Sequence, residues 1–351
     1  MKRLLLFPAL AVIVLSACTK KIVDLPREKA PQALEDAFGN YVKAIEEAGE
    51  DIHSIMIVQH GKVLEEKWFG DAAPDVPHVL HSVSKTFTSA AVGLAINDGL
   101  LSLDDRLVDL FPDKLPSEVS ENLKKSTIKD LLTMSGGHDK EPSLDSSDPE
   151  ADWEKIFLAA PFDHEPGQWF WYNSLGTYML SAAVQKVTGR KVVEYLDERL
   201  FGPLNIATPK WEESPQGINC GGWGLYLRTE DLAKMGQFIL QKGKWNGKQV
   251  LPASWVKEMT TAHIYSAPAG WSPDAVRDNK LKPEDSDWLQ GYCYQMWRCR
   301  HNAVRADGAW GQYIIVMPDQ DAVIAVTAKV GDMQKEINYI WDYLLPALEE
   351  K

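Results

Sequence analysis

Apolar residues recur along this chain first at a helical period, then at a strand period, then helical and strand again, and that order sketches an architecture. Across residues 33–48 they fall on one helical face (Leu34, Ala37, Phe38, Tyr41, Ile45), and Gly49 supplies the stop. Residues 52–58 and 62–69 are short β-rich runs separated by Gln59-His60-Gly61, the signature of a hairpin. From Ser82 to about Pro252 the spacing is mostly helical. The run from Phe87 to Ile96 is small and apolar almost without a break, which predicts a buried helix opening near Ser82 and ending at Asn97-Asp98-Gly99. Thr127 and Asp130 read as a capping box with Asp in place of the usual Glu, and Gly136-Gly137 as that helix's close. Residues 153–160, 175–187, 192–200, 229–240 and 253–261 read as further helices; Gly189 stops the second, and Asn246-Gly247 is a turn before the last. Residues 140–152 and 262–288 are polar loops. The strand signal returns in residues 291–299, 312–317 and 322–329, and residues 337–348 form a closing amphipathic helix.

Strand signals at both ends with helices between them predict an α/β fold of the α+β type. One antiparallel sheet is built from both termini and flanked by N- and C-terminal helices, with an all-helical region (about 80–260) inserted between segments 50–70 and 290–330. Residues 32–351 are assigned to this domain. The chain begins differently. Met1-Lys2-Arg3 is positive, residues 4–15 are apolar but short for a bilayer span, and Leu15-Ser16-Ala17-Cys18 follows. This resembles a bacterial lipoprotein signal peptide, with Cys18 as the lipid-bearing residue and residues 19–31 as a tether. The resemblance implies a membrane partner and a place in the bacterial cell envelope, periplasmic or at the outer membrane.

Composition narrows the function. With 37 Lys and Arg against 50 Asp and Glu the formal charge is -13, and no run of clustered cations offers a phosphate-binding surface, so nucleic acid is excluded as a partner. Cys220, Cys293 and Cys299 are an odd set. The last two lie six apart in an expected strand, roughly 20 Å from each other, so they are not expected to pair. No metal-ligand spacing occurs among the cysteines and histidines, and neither a metal nor any other cofactor is expected.

The candidate chemistry starts at His81-Ser82-Val83-Ser84-Lys85. Ser82 and Lys85 stand one helical turn apart at the positive end of a helix, where a desolvated amine can take a hydroxyl proton. The bland reading is an N-cap serine and a solvated lysine. A loop, residues 166–174, leads into a helix and carries Tyr172, Asn173 and Ser174; a phenol sharing its proton with Lys85 can act as base and later as acid. Arg305-Ala306-Asp307-Gly308-Ala309 precedes a strand, and its glycine would let a carbonyl approach backbone N–H donors.

Ser82-x-x-Lys85, Tyr172-x-Ser174 and the Gly308 motif, in this order, resemble the serine β-lactamase and penicillin-binding superfamily. The likeness is strongest to the branch of class C β-lactamases, D-aminopeptidases, family VIII esterases and 6-aminohexanoate-dimer hydrolases, and it covers the chain from about residue 52 onward. It implies a β-lactamase/transpeptidase-like fold, Ser82 as nucleophile, Lys85 as its proton partner and Tyr172 as general base. Asn173 and Ser174 complete the second motif, Asp307 and Gly308 the third, and the N–H groups of Ser82 and Ala309 form the oxyanion hole. His81 is given a packing or hydrogen-bonding role. The third motif departs from the family, with Ala306-Asp307-Gly308 where a Lys or His is usual. That loss disfavours anionic substrates, and strand alternation would turn Arg305 away from the position of Ala306. Trp169, Trp171, Trp310 and Gln312 are expected to line a pocket for a small apolar, aryl or acyl substrate. The expected function is a serine hydrolase of esters or amides acting through an acyl-enzyme. A β-lactamase or D-peptidase, and a non-catalytic penicillin-binding or sensing lipoprotein, stay open as alternatives.

Overall fold

The computed structural model describes residues 23–349, so Cys18 and the signal segment lie outside the described residues. Its spine is a six-stranded antiparallel sheet, in spatial order Lys62–Trp68, Ile52–Gln59, Ala322–Ala328, Gln312–Met317, Val304–Gly308 and Trp297–Arg298. The two ends of the chain meet at its centre, where Ile57 pairs with Ile324 and Met56 with Ala325. Period two then sorts the strands between two cores. Ile55, Ile57, Ile324 and Val326 face the Gln32–Ala48 helix and the closing helical segment from Met333 to Glu349. Met56, Val58, Val323 and Ala325 face the helical region. An apolar sheet covered on both faces explains why the Ala322–Ala328 strand is buried at every position.

In the helical region the Ser84–Asn97 helix is buried from Ser84 to Ala95, as its apolar run demands, and it packs against the Ser174–Thr188 helix. Gly49 and Gly189 stop their helices as read, with left-handed φ of 68° and 69°, and Thr127 and Asp130 form the reciprocal capping box, but the helix it opens ends at Leu132, before the Gly136-Gly137 expected to close it. Thr229–Leu240 lies directly on the sheet, made possible by Gly236, whose missing Cβ would fall 2.3 Å from Val323 Cγ1.

Three readings need correction. Residues 291–299 are not one strand. The chain reverses, with Cys293 N–H donating to Met296 O at 2.8 Å and Tyr292 bridging Trp297, leaving only Trp297–Arg298 in the sheet. The reversal is held by Gln295, which takes φ +66°, accepts from Thr177 and donates to the carbonyls of Leu131 and Leu132. The separation argued for Cys293 and Cys299 therefore fails, although both, like Cys220, are free and buried. Val304–Gly308 is itself a strand, although two charged side chains interrupt its apolar pattern. Finally, the described part of the expected tether is docked on the domain. Leu25 is buried, its N–H donates to Glu230, and Arg27 pairs with Glu66 and Glu230.

Two glycines separate helix propensity from packing. Gly39, in the first helix, has open space around it, so Gly39→Ala is expected to raise stability by about 1 kcal/mol. Gly236→Ala gains the same propensity but meets Val323 and Ile314, and overpacking of about 1–3 kcal/mol outweighs it. Urea unfolding of the two variants should therefore move in opposite directions.

Candidate active site

Ser82 sits in a single 3-10 turn, His81–Val83, that runs straight into the Ser84–Asn97 helix. The turn starts from a strained residue: His81 has φ +47°, a left-handed conformation that side chains rarely adopt. The bend is fastened by Ser84 Oγ, which donates to His81 O at 2.6 Å. Ser82 makes no capping bond and is half-buried, with its hydroxyl free for other partners.

The side chain one turn on is Lys85, 1% exposed. Its Nζ donates to Ser82 Oγ at 3.0 Å, Ser174 Oγ at 3.1 Å and Gly222 O at 2.8 Å. Three acceptors from three separate segments match the three protons of an ammonium. Burial pushes its pKa down to about 7, against the opposing pull of Glu141 and Asp307. The N-cap and solvated-lysine reading is thereby excluded.

Tyr172 completes the cluster. Its ring lies beneath Lys85 Nζ, 4.8 Å from the centroid, and stacks on Trp297 at 5.5 Å. Burial raises the phenol well above its ordinary range, and a hydrogen bond with Ser82 opposes that rise. Next to it, Asn173 caps the Ser174–Thr188 helix by accepting from Gly176 N–H at 3.0 Å. Glu141, from the polar loop, accepts from the N–H groups of Ser174 and Leu175 at 2.6 and 3.0 Å.

Two glycines permit the convergence. A Cβ at Gly222 would lie 2.7 Å from Ser174 O, and one at Gly308 would lie 2.3 Å from Leu80 O. The second contact brings the end of the Val304–Gly308 strand against the turn that holds Ser82. Ala309 follows in the strand-to-strand turn, where Trp310 takes φ +69°. Among the described residues its N–H has no backbone acceptor.

The third motif is built around an ion pair. Ala306 faces the helical core while Arg305 and Asp307 share the other face, as strand alternation requires. Arg305 Nε donates to Asp307 Oδ2 at 2.8 Å, and the guanidinium lies over Trp288 and Trp297 at 4.3 and 5.5 Å. Both side chains are buried. Burial lifts the Asp307 carboxyl to about 6, and Arg305 holds it from rising further.

The expected pocket residues divide. Trp310 is 52% exposed in the turn that follows Ala309. Gln312 is not available to a substrate, because its buried amide donates to Ala309 O and Ala328 O and accepts from Ala328 N–H. Trp169 is stacked on His164 at 4.3 Å, and Trp171 lines a small hollow with His138 and Phe157. The rings that surround Tyr172 are instead Trp297 and Tyr292, while Tyr294 packs on Trp255 and His263. Glu141 and the Gly222 carbonyl were missed as site groups. The only hint was the Gly-rich, aromatic stretch at residues 220–228.

Known proteins share the fold and family of this chain. The family model described as Beta-lactamase matches residues 42–347. A 6-aminohexanoate-dimer hydrolase from Paenarthrobacter ureafaciens is 25% identical over 338 residues, covering 90% of this chain and 78% of its own. A lovastatin esterase from Penicillium rubens is 28% identical over 150 residues, 36% of this chain and 37% of its own. Among solved structures, EstCE1, a hydrolase with promiscuous acyltransferase activity, superposes with a TM-score of 0.71 at 16% identity over 89% of this chain and 98% of its own.

Removing the cation of the buried pair exposes its cost. Arg305→Met leaves Asp307 buried without its partner and is expected to lower stability by about 3–5 kcal/mol in urea unfolding. Adding Asp307→Asn to that variant should recover part of the loss.

Proposed function

The chain belongs to the beta-lactamase family, and from that premise we propose that it is a serine hydrolase that cleaves an ester or amide through an acyl-enzyme on Ser82. The observation that carries the proposal is the buried Lys85 amine, 3.0 Å from Ser82 Oγ and poised near neutrality. A hydroxyl becomes a nucleophile only if a neighbour can take its proton. Of the two candidates, Lys85 is lowered toward neutral pH while Tyr172 is raised away from it. The neutral amine is therefore the base, and Tyr172, read from sequence as the base, keeps its proton and works as a relay.

Ser82 Oγ attacks the carbonyl carbon as its proton passes to Lys85. The oxyanion turns toward the N–H groups of Ser82 and Ala309. When the intermediate collapses, the Tyr172 phenol gives its proton to the leaving alkoxide or amine and is restored by the Lys85 ammonium. Water then attacks the acyl-Ser82 carbonyl and gives a proton to Lys85, which returns it to Ser82 Oγ as the carbonyl–Oγ bond breaks and the carboxylic acid leaves. Hydrolysis is supported by the relatives, one named a dimer hydrolase and one an esterase, and the acyl-enzyme route serves an ester or an amide alike. The exposed Trp310 and the absence of a cation at Ala306 favour small apolar, acyl or aryl groups over anionic ones. The proposal includes a lipid at Cys18 that tethers the enzyme in the cell envelope, supported by the pattern of residues 1–18.

Ser82→Ala is expected to lower aryl-ester turnover at least about a thousandfold, with the circular dichroism spectrum unchanged; undiminished turnover would refute the assignment. Because the working form is neutral Lys85, kcat/KM for an uncharged ester should rise with pH, about tenfold per unit below 7, and level off above it. Cys18→Ser in the full chain is expected to move the protein from the membrane fraction to the soluble one.

A further inference from the structure

A second hollow opens on the helical face of the sheet, between the end of the Thr229–Leu240 helix and the Ala253–Thr260 helix, and none of the residues that line it belongs to the Ser82 site. Its volume is about 310 Å³, at the small end of ligand cavities. Cross-strand register builds the floor. Val304 pairs with Val316 on one side and with Arg298 on the other, so the three side chains leave the sheet on one face. Both valines are buried, and Ile239 meets them from the helix above. The second wall follows from helical spacing: Ala253, Val256, Lys257 and Thr260 stand at i, i+3, i+4 and i+7, one stripe of their helix, and all four line the hollow.

The rim carries the charge. Lys242 and Lys257 are exposed and Arg298 is half-buried, and each lines the hollow. Carboxylates are in excess in this chain, 50 acidic residues against 37 basic, yet none of these three cations forms an ion pair among the described residues. The carboxylates next to these elements in the chain are engaged elsewhere: Glu258 faces His263 at 3.4 Å, and Asp319 accepts from Asn302. Asn302 in turn accepts from Arg298 at 2.6 Å, and a second guanidinium N–H donates to Thr260 O, so Arg298 is held at the rim without direct contact with a carboxylate. An apolar chamber ringed by three unpaired cations is complementary to a ligand with an alkyl tail and an anionic head. At about 30 Å³ for each water-sized group, the hollow admits one chain of about ten methylenes and not two, which selects a free single-chain acid over a two-chain lipid.

We infer that this hollow is a binding site for a free alkyl carboxylate, with its tail against Val304 and Val316 and its head among Lys242, Lys257 and Arg298. The site is separate from Ser82, and the inference does not depend on what Ser82 cleaves.

Calorimetric titration of the full chain with hexanoate, octanoate, decanoate and decanol tests it. Decanoate should bind one to one, and affinity should rise about fourfold per added methylene along the three acids. Decanol, which has the tail without the charge, should bind at least about tenfold more weakly, and about 0.5 M NaCl should weaken decanoate binding through screening. Lys242→Glu combined with Lys257→Glu should cut decanoate affinity at least about tenfold. Ala253→Trp, which fills the mouth from an exposed position, should abolish it. Neither variant should change aryl-ester turnover. Equal binding of decanol, or decanoate binding undiminished in both variants, would overturn the inference, the second result by placing the acid elsewhere on the protein. A dimer in solution that the two charge reversals dissociate, with no decanoate bound, would also overturn it and make this face a contact between two copies of the chain.

Discussion

A lysine amine taken out of water needs partners, and nearly everything about this site follows from where Lys85 finds them. Its three acceptors come from the turn before its own helix, from the head of the Ser174–Thr188 helix and from the backbone at Gly222. Desolvation disfavours the charged form, and the three bonds and nearby carboxylates favour it. The balance leaves the amine able to hold or release a proton near neutrality, which is what acyl transfer asks of a base. The cost of burying the amine is offset only if all three segments are in place, so the fold and the chemistry share one constraint. Gly222 and Gly308 matter for that reason, each admitting a backbone approach that a Cβ would block.

A second buried charge system stands behind the first. Arg305 and Asp307 neutralise one another beneath Trp288 and Trp297, and Trp297 in turn backs the ring of Tyr172. The third motif thus acts here through structure: it fixes the strand end against Leu80 and firms the wall on which the phenol rests. The motif's one cation, Arg305, is turned inward onto Asp307, and Ala306 carries no charge.

The sequence was most legible where structure is local. Helix stops at Gly49 and Gly189, the Thr127–Asp130 cap, the first hairpin and the Ser82–Lys85 pairing all depend on residues a few positions apart. The antiparallel sheet from both termini was legible because its strands are apolar runs. The meeting of Tyr172 with that pair was not available from spacing and came from family resemblance. What escaped was decided by distant partners. Gln295 bends residues 291–298 into a reversal to reach carbonyls more than 160 positions earlier, Gln312 spends its amide on Ala328, and Glu141 reaches forward 33 positions to Ser174. None of these choices leaves a periodic or compositional trace.

Lys85 is buried in contact with Ser82, and the proton on its amine can be followed directly. The 13Cε resonance of Lys85, in protein labelled at lysine and assigned through Lys85→Arg, reports it in a pH titration of the resting enzyme. A midpoint near 7, standing apart from the surface lysines, is the predicted result. A midpoint with those lysines, near 10.4, would contradict the account.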